Sequence, residues 1–206
     1  MLLAWILSFE EARRHYRQTK LYTDDYGLRI LVDGLGLEFS EAEATLNRLD
    51  NSEPDMWAAG KFFAYLEQNE PFVHLDYDVF LFKPLPLYFE NAQVFAQSEE
   101  PFLNWSEYSP YRPQVIEALI DGTPSAWLPK EWRWYSANKD GNKKGICCGI
   151  FGGANLKFIH YYAETALRFL ELPQNRRAML VSPERKWIIM HVEQYYLAAL
   201  LDYYSF

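Results

Sequence analysis

Cysteine is scarce in this sequence, and its two cysteines, Cys147 and Cys148, are adjacent. A disulfide between neighbouring residues is strained and rare, so the sequence excludes a framework of disulfide bridges. Buried free thiols in a reducing compartment account better for the pair, and we therefore expect a cytoplasmic protein.

Clustered positive charge is also missing. The chain carries 20 Lys and Arg against 28 Asp and Glu, for a formal net charge of -8, and the basic residues are dispersed. A nucleic-acid-binding face normally shows clustered Lys and Arg, so we expect no nucleic-acid partner.

No apolar run in the chain is long enough to span a bilayer. The apolar segment 1–9 ends at Glu10, and no basic region precedes it. We therefore expect no integral membrane segment and interpret 1–9 as the start of a helix that packs on the core.

The sequence is rich in apolar and aromatic residues, at 50% and 17% of the chain, which supports a packed core. Its length of 206 residues suits a single domain over 1–206. We find no internal repeat and no low-complexity tract. The chain opens on a predicted helix and closes on another, so the domain is a candidate for truncation at both ends.

Hydrophobic periodicity and terminal signals predict helices that alternate with strands. A Ser40–Glu43 capping box predicts one further helix. The predicted helices cover 9–20, 26–35, 54–68, 110–121, 155–172 and 191–204, and the predicted strands 21–23, 71–75, 79–82, 93–97 and 145–151. This alternation predicts an α/β fold with a mixed, mostly parallel sheet flanked by helices.

The most informative stretch is the segment 72–82, in which Asp76 and Asp78 follow an apolar strand and precede a second apolar run. Two carboxylates one residue apart lie on the same side of an extended segment. Two like charges beside a buried strand are unfavourable unless a positive group compensates them. Mg²⁺ and Mn²⁺ prefer hard oxygen ligands, so the pair predicts a metal site at the carboxyl end of a core strand.

The segment 74–85, His-Leu-Asp-Tyr-Asp-Val-Phe-Leu-Phe-Lys-Pro-Leu, resembles the DXD region of GT-A-fold, nucleotide-sugar-dependent glycosyltransferases. Four other segments resemble further parts of the same family in the same order: 21–24, 57–61, 148–155 and 191–194. The resemblance implies a GT-A-like, Rossmann-like fold and a metal-dependent transfer of a sugar from a nucleotide sugar to a saccharide or other hydroxyl acceptor.

The resemblance also implies the donor site. Asp78, and Asp76 directly or through water, would hold Mn²⁺ or Mg²⁺ at the donor diphosphate. Lys61 would add positive charge near the phosphates or the sugar. Thr23 and Asp24 end the early strand that lies beside the nucleotide base in this family.

The remaining implied residues lie late in the chain. Gly152 and Gly153 would let the backbone approach the donor closely, and Glu193 would accept the proton of the acceptor hydroxyl. His191 is a candidate third metal ligand, although a core or helix-capping histidine explains it better. Seven aromatic residues are candidates for stacking on sugar rings: Trp105, Tyr108, Tyr111, Trp127, Trp132, Trp134 and Tyr135.

Each of these residues also has a purely structural explanation. Lys61 fits an exposed helix lysine, Glu193 a glutamate in the first turn of a helix, and the glycines a turn before a helix capped by Asn155. Two other functions compete with the transferase. The first is a haloacid-dehalogenase-like phosphatase, because such enzymes also use an Asp-x-Asp pair, here with Asp76 as nucleophile and Asp78 as acid/base. The second is a non-catalytic, sugar-binding remnant of the transferase fold.

Overall fold

The computed structural model describes residues 1–49, 56–89, 91–101, 113–138, 143–182 and 185–205. Its α-helices are α1 Leu2–His15, α2 Asp25–Leu28, α3 Ala59–Leu66, α4 Pro113–Asp121, α5 Lys130–Asn138, α6 Leu156–Glu171, α7 Pro173–Leu180, α8 Arg185–Met190 and α9 Tyr196–Tyr204. Its strands are β1 Lys20–Tyr22, β2 Glu41–Glu43, β3 Phe72–Leu75, β4 Phe95–Pro101 and β5 Lys144–Gly153.

The described strands form two small sheets. The strands β1 and β2 pair in parallel, whereas β3, β5 and β4 form an antiparallel sheet with β5 in the centre. The predicted α/β class is confirmed at this coarse level. The mostly parallel sheet is not found among the described strands, because β5 runs antiparallel to both of its neighbours.

The main core lies between the β3–β5–β4 sheet and the helices α3, α5, α6 and α9. Aromatic rings fill its centre: the Phe151 ring lies 5.0 Å from the Tyr65 ring and 5.9 Å from the Tyr162 ring, measured between centroids. All three side chains are almost fully buried. Burial of large aromatic side chains contributes much of the hydrophobic stabilisation of a domain.

A second, smaller cluster lies in the N-terminal part of the chain. It contains Phe9 of α1, Leu21 of β1, and Leu31 and Leu37, each at most 5% exposed. The apolar segment 1–9 therefore begins a helix, as predicted, and its last residue packs inward. The front of this helix does not, since Leu3 is 81% exposed.

The capping-box prediction at Ser40 is wrong. Residues 41–43 form β2 rather than a helix. The Ser40 hydroxyl accepts a hydrogen bond from the Thr19 amide at 3.1 Å and donates one to the Arg17 carbonyl at 3.3 Å. Ser40 therefore fixes the start of the parallel β1–β2 pair, because its hydroxyl serves backbone groups distant in sequence.

Other predicted elements are shifted. The first helix ends at His15, since Tyr16 is extended at φ -122° and ψ 129°. The residues 79–82 form no strand. The predicted starts at 54–55 and 110–112 lie outside the described residues, and the helices there begin at Ala59 and Pro113 as described.

The last predicted helix contains a π-helical segment, His191–Tyr195, between α8 and α9. Glu193 therefore lies inside a long helical run and not in a first turn, so that explanation of Glu193 is wrong. A π-helical segment changes the direction in which nearby side chains project, and such segments are frequent at functional sites.

None of the helices in the described ranges has the length and hydropathy that a bilayer crossing requires. Both cysteines are free thiols; Cys148 is buried and Cys147 is half-buried.

Candidate functional site

The carboxyl end of β3 fixes the position of Asp76. The Asp76 amide donates to the Gly149 carbonyl of β5 at 2.9 Å, which extends the β3–β5 pairing by one step. The Val79 amide donates to the Asp76 carbonyl at 3.0 Å and closes a tight turn. The chain thus leaves the sheet directly after Asp76.

His74 supports the Asp76 carboxylate. The two residues are two positions apart on an extended segment, so their side chains share a side of the strand, and His74 Nε2 lies 3.0 Å from Asp76 Oδ1. An ionised carboxylate can only accept, so His74 donates from Nε2. Burial lowers the pKa of His74, although Asp76 acts in the opposite direction, and the ring is therefore neutral at pH 7.

Lys61 of α3 joins Asp76 to Glu193. Its Nζ lies 2.7 Å from Asp76 Oδ1, 2.9 Å from Asp76 Oδ2 and 2.6 Å from Glu193 Oε1. The neighbours Phe62 and Phe63 of Lys61 are buried in the core, which holds α3 against the sheet and brings the lysine to the end of β3. The ammonium is therefore shared by two carboxylates from distant parts of the chain.

The charges of the three side chains depend on one another. Burial by itself lowers the pKa of Lys61, but Glu193 and Asp76 outweigh it and raise the pKa. Burial by itself raises the pKa of Asp76, but the His74 hydrogen bond and the Lys61 charge outweigh it and lower the pKa. Lys61 is therefore a cation and Asp76 an anion at neutral pH.

Glu193 is the most deeply buried member of the cluster, with 2% of its side chain exposed. Burial raises its pKa, and Lys61 opposes this rise. The backbone carbonyl of Glu193 also accepts a hydrogen bond from the Tyr162 hydroxyl at 2.5 Å, which ties the π-helical segment to α6. Glu193 is thus held in place from both its side chain and its backbone.

Asp78 differs from Asp76 in its surroundings. Its side chain is exposed, and within the described residues no ion pair to it is found. The intervening Tyr77 stacks on Trp5 of α1, with ring centroids 5.4 Å apart and ring planes 15° apart. The loop that carries Asp78 therefore rests on the first helix of the chain.

The strand β5 is irregular opposite the site. The β4–β5 register shifts between Ala96 and Ser98, and a side chain at Gly149 would collide with the Gln97 amide group. The thiol of Cys147 also contacts Gln97, at 3.7 Å. Bulges frequently occur next to functional sites because they redirect side chains, and this one brings Gln97 close to Gly149.

Gly152 and Gly153 lie at the other end of the ladder, opposite Val73 and Phe72. A Cβ at Gly152 would collide with the Phe72 carbonyl oxygen, and one at Gly153 with the Gln93 carbonyl oxygen. The structure therefore does not bring these glycines to Asp76. In the structure, these glycines let the β5 backbone approach the backbones of Phe72 and Gln93 closely. Asn155 caps α6, as predicted, by accepting a hydrogen bond from the Phe158 amide at 3.1 Å.

Thr23 and Asp24 also have local roles. Asp24 caps α2 by accepting from the Gly27 amide at 2.6 Å. The Thr23 backbone bonds to Glu43 and Leu46. No contact joins either residue to Asp76 in the part of the chain that the structure describes.

Most of the aromatic residues predicted for sugar stacking serve the core or lie outside the described residues. Trp132 and Tyr135 are at most 1% exposed. Trp105, Tyr108 and Tyr111 are not among the described residues. Trp57 offers an exposed aromatic ring beside the cluster: it is 57% exposed, and Lys61 Nζ lies 5.9 Å from its centroid.

His191 lies in the core and is fully buried. Its Nδ1 pairs with the Trp187 carbonyl at 3.0 Å, and burial lowers its pKa to about 4. This placement agrees with a core histidine.

Sequence reasoning missed two contributors to the site. His74 had a usable signal, because its spacing from Asp76 places both side chains on one side of β3. Trp5 had none, since its stacking on Tyr77 depends on long-range packing.

The fold and the site together define a mixed α/β protein with a buried charge cluster at the end of a strand. The chain belongs to DUF6734, a family of unknown function, whose family model matches residues 1–205. No curated protein and no solved structure gives a significant match to the chain.

Proposed function

We propose that this protein is a metal-dependent glycosyltransferase of GT-A-like fold. It would move a sugar from a nucleotide-sugar donor to a saccharide or other hydroxyl acceptor. The observation that carries the proposal is the meeting of Lys61, Asp76 and Glu193 at the end of β3. These residues come from three of the segments that resemble the family. Asp76 lies 15 positions after Lys61 in the chain, and Glu193 lies 132 positions after it.

The charge balance of the site favours a divalent cation. Asp76 and Glu193 share one ammonium, that of Lys61, because His74 is neutral, and Asp78 adds a third ionised carboxylate two residues after Asp76. Two negative charges are left over, and Asp78 carries one of them in the open. A divalent ion would neutralise both.

The donor atoms fit Mn²⁺ or Mg²⁺, since carboxylate oxygens are the ligands that these ions prefer. Asp78 is the exposed ligand, and Asp76 would join it directly or through water. The described residues contain no group of three or more His, Cys, Asp or Glu side chains placed to hold a metal. Phosphate oxygens and water would complete the coordination, as is usual for Mg²⁺.

The bound ion would stabilise the negative charge that develops on the leaving nucleoside diphosphate. Lys61, 13% exposed and still cationic, would hold a phosphate oxygen beside it. Trp57 offers an exposed ring at the same edge. Lys61 and Trp57 thus explain how the chain itself would orient the donor.

Glu193 is the proposed acceptor base, but its geometry favours a positioning role. Its carboxylate is 2% exposed and contacts Lys61 at 2.6 Å. A hydroxyl must approach within hydrogen-bond distance of its base, and Lys61 occupies that position. The burial and the ion pair support Glu193 as the residue that orients Lys61.

Binding of a nucleoside diphosphate with Mn²⁺ tests the proposal. Asp78→Asn should weaken Mn²⁺-dependent binding of uridine or guanosine diphosphate by at least about tenfold, because it removes the exposed ligand. Titration calorimetry measures the effect. Asp33→Asn, at another exposed aspartate, is the matched control and should bind as the wild type does.

Three results would decide against the transferase. Equal affinity in Asp78→Asn and wild type would remove the metal assignment. Covalent capture of Asp76 by beryllofluoride, together with turnover of a phosphate ester, would favour the phosphatase. Failure of every nucleoside diphosphate to bind, with or without Mn²⁺, would leave the non-catalytic remnant.

A further inference from the structure

The Lys61 ammonium covers both carboxylate oxygens of Asp76. Nζ lies 2.7 Å from Oδ1 and 2.9 Å from Oδ2, and His74 donates to Oδ1 as well. Asp76 is therefore already paired with a cation of the protein itself, which it shares with Glu193. Asp78, two residues later, is exposed and has no ion-pair partner within the described ranges.

We infer that Lys61 is an exchangeable counter-ion that weakens divalent-metal binding to the free protein and couples metal binding to the nucleoside diphosphate. This inference rests on the proposed function and adds the order in which its ligands bind. Metal alone would bind weakly, and metal with the diphosphate would bind tightly.

Electrostatic repulsion from Lys61 explains why a divalent metal alone would bind weakly to the free protein. Any cation that coordinates Asp76 must come close to the Lys61 ammonium, because that ammonium lies within 2.9 Å of both oxygens. Like charges at such short range repel, and they repel more strongly where burial lowers the effective dielectric constant. The Lys61 side chain is only 13% exposed, so water screens little of this repulsion.

A diphosphate reverses the effect. Its oxygens supply negative charge to the metal and to Lys61 at once, so two neighbouring cations become favourable. An ammonium has three N–H donors. Lys61 can therefore turn from Asp76 to a phosphate oxygen while it keeps its 2.6 Å contact with Glu193.

Burial separates the two anchors of Lys61. Glu193 is 2% exposed and fixed by the backbone bond to Tyr162, whereas 27% of the Asp76 side chain is exposed. Glu193 thus forms the permanent contact and Asp76 the exchangeable one. Because coupling between two ligands is reciprocal, the diphosphate must raise metal affinity by the factor by which the metal raises diphosphate affinity.

The test compares Mn²⁺ binding by the wild-type chain and by the double variant Lys61→Met/Glu193→Gln. The double variant removes one charge of each sign, so the deeply buried position 193 carries no charge, and the partly exposed Asp76 keeps its hydrogen bond from His74. Without nucleotide, it should bind Mn²⁺ at least about tenfold more tightly than the wild type. The enhancement of Mn²⁺ binding by uridine or guanosine diphosphate should fall by a similar factor. Electron paramagnetic resonance of free Mn²⁺ measures both quantities.

Further variants locate the effect. Lys61→Arg keeps the charge and should keep the weak binding of Mn²⁺ alone. Adding Asp76→Asn to the double variant should abolish the gain, because the released ligand is then missing. Lys61→Gln replaces the double variant in this test if the double variant does not fold, because its side-chain amide can still donate to both carboxylates. Without nucleotide, Lys61→Gln should also bind Mn²⁺ more tightly than the wild type does.

The outcomes separate this inference from the proposed function. Wild-type Mn²⁺ affinity in both Lys61→Gln and the double variant overturns the inference, and the transferase proposal survives if the wild type still binds diphosphate with Mn²⁺. Absence of Mn²⁺ and diphosphate binding in every variant overturns both.

Discussion

The two ends of the β3–β5 ladder carry different kinds of residue. At one end, Gly152 and Gly153 lie opposite Val73 and Phe72 and leave no room for a side chain. At the other end, Asp76 bonds to the Gly149 carbonyl and carries a buried charge cluster. The ends are joined by four consecutive residue pairs of one antiparallel ladder.

Within this one ladder, the residues at one end are required for packing, whereas those at the other end are candidates for binding or catalysis. The glycine end needs only the absence of a Cβ, which is a steric requirement of packing. The carboxylate end places like charges close together, which is unfavourable for stability unless a cation is present. Groups that are unfavourable for folding and partly open to solvent are candidates for binding and catalysis.

The largest expected effect comes from the glycine end. In Gly152→Ala the new Cβ would lie 3.0 Å from the Phe72 carbonyl carbon and 3.1 Å from Val73 Cα, besides colliding with the Phe72 oxygen. Backbone atoms cannot rotate away, so the strands must separate. We expect a loss of at least about 3 kcal/mol in the free energy of unfolding, measured by urea denaturation.

Gly60→Ala is the matched control, at another buried glycine. Its Cβ would meet Leu46 Cδ1 at 3.1 Å, a methyl group that can move. The free energy of unfolding should change by less than about 1 kcal/mol, helped by the better helix propensity of alanine. Equal effects of the two substitutions would remove the steric explanation of the ladder.

The next effect breaks the charge cluster. Lys61→Met leaves Glu193 buried without its cation, and removal of one partner of a buried pair costs about 3 kcal/mol at neutral pH. The pKa of Glu193, already raised by burial, should rise further without Lys61. Unfolding measured across a pH series would follow the loss.

The pH dependence has a defined sign. A group whose folded pKa is raised contributes stability below its unfolded pKa, near 4.5 for Glu193, and this contribution is lost as pH rises through the folded pKa. The stability deficit of Lys61→Met should therefore shrink as pH falls towards 4.5 and grow above it. Asp76 also loses the Lys61 charge that lowers its pKa in the wild type, so it contributes to the deficit at every pH at which it stays ionised. A deficit that does not change with pH, or a double variant Lys61→Met/Glu193→Gln no more stable than Lys61→Met at neutral pH, would contradict the assignment.

The smallest effect concerns the support of the Asp78 loop. Trp5→Ala removes the ring stacked on Tyr77 and should lower the free energy of unfolding by about 1 kcal/mol. Hydrogen exchange at the Val79 amide, which closes the turn after Asp76, should become faster. Leu3→Ala, on the same helix at an 81% exposed position, should change neither quantity.

The sequence predicted the carboxylate end of the ladder better than the rest. Asp76 after an apolar strand, and the chain order of Lys61, Asp76 and Glu193, led us to expect one site, and the three residues do meet. Such a prediction succeeds because the pairing of β3 with β5 determines where the residue after the strand lies. The roles of these residues in donor binding and catalysis stay predictions.

The direction of strand pairing was not available from the sequence. An apolar strand such as β5 reads the same whether its neighbours run parallel or antiparallel, so the mostly parallel sheet was expected by default. The Ser40 capping box failed for a related reason, since its hydroxyl bonds to residues more than 20 positions away. Local patterns do not contain such long-range partners.

The central position of β5 has a consequence for synthesis on the ribosome. The strands β3 and β4 both lie on β5, which follows them in the chain, and Glu193 is 132 residues beyond Lys61. Distant contacts of this kind form slowly, because a large loop must close first. The nascent chain must therefore expose Lys61 and Asp76 without their final partner until the ribosome has passed Glu193, so the charge cluster forms long after its first two members are synthesised.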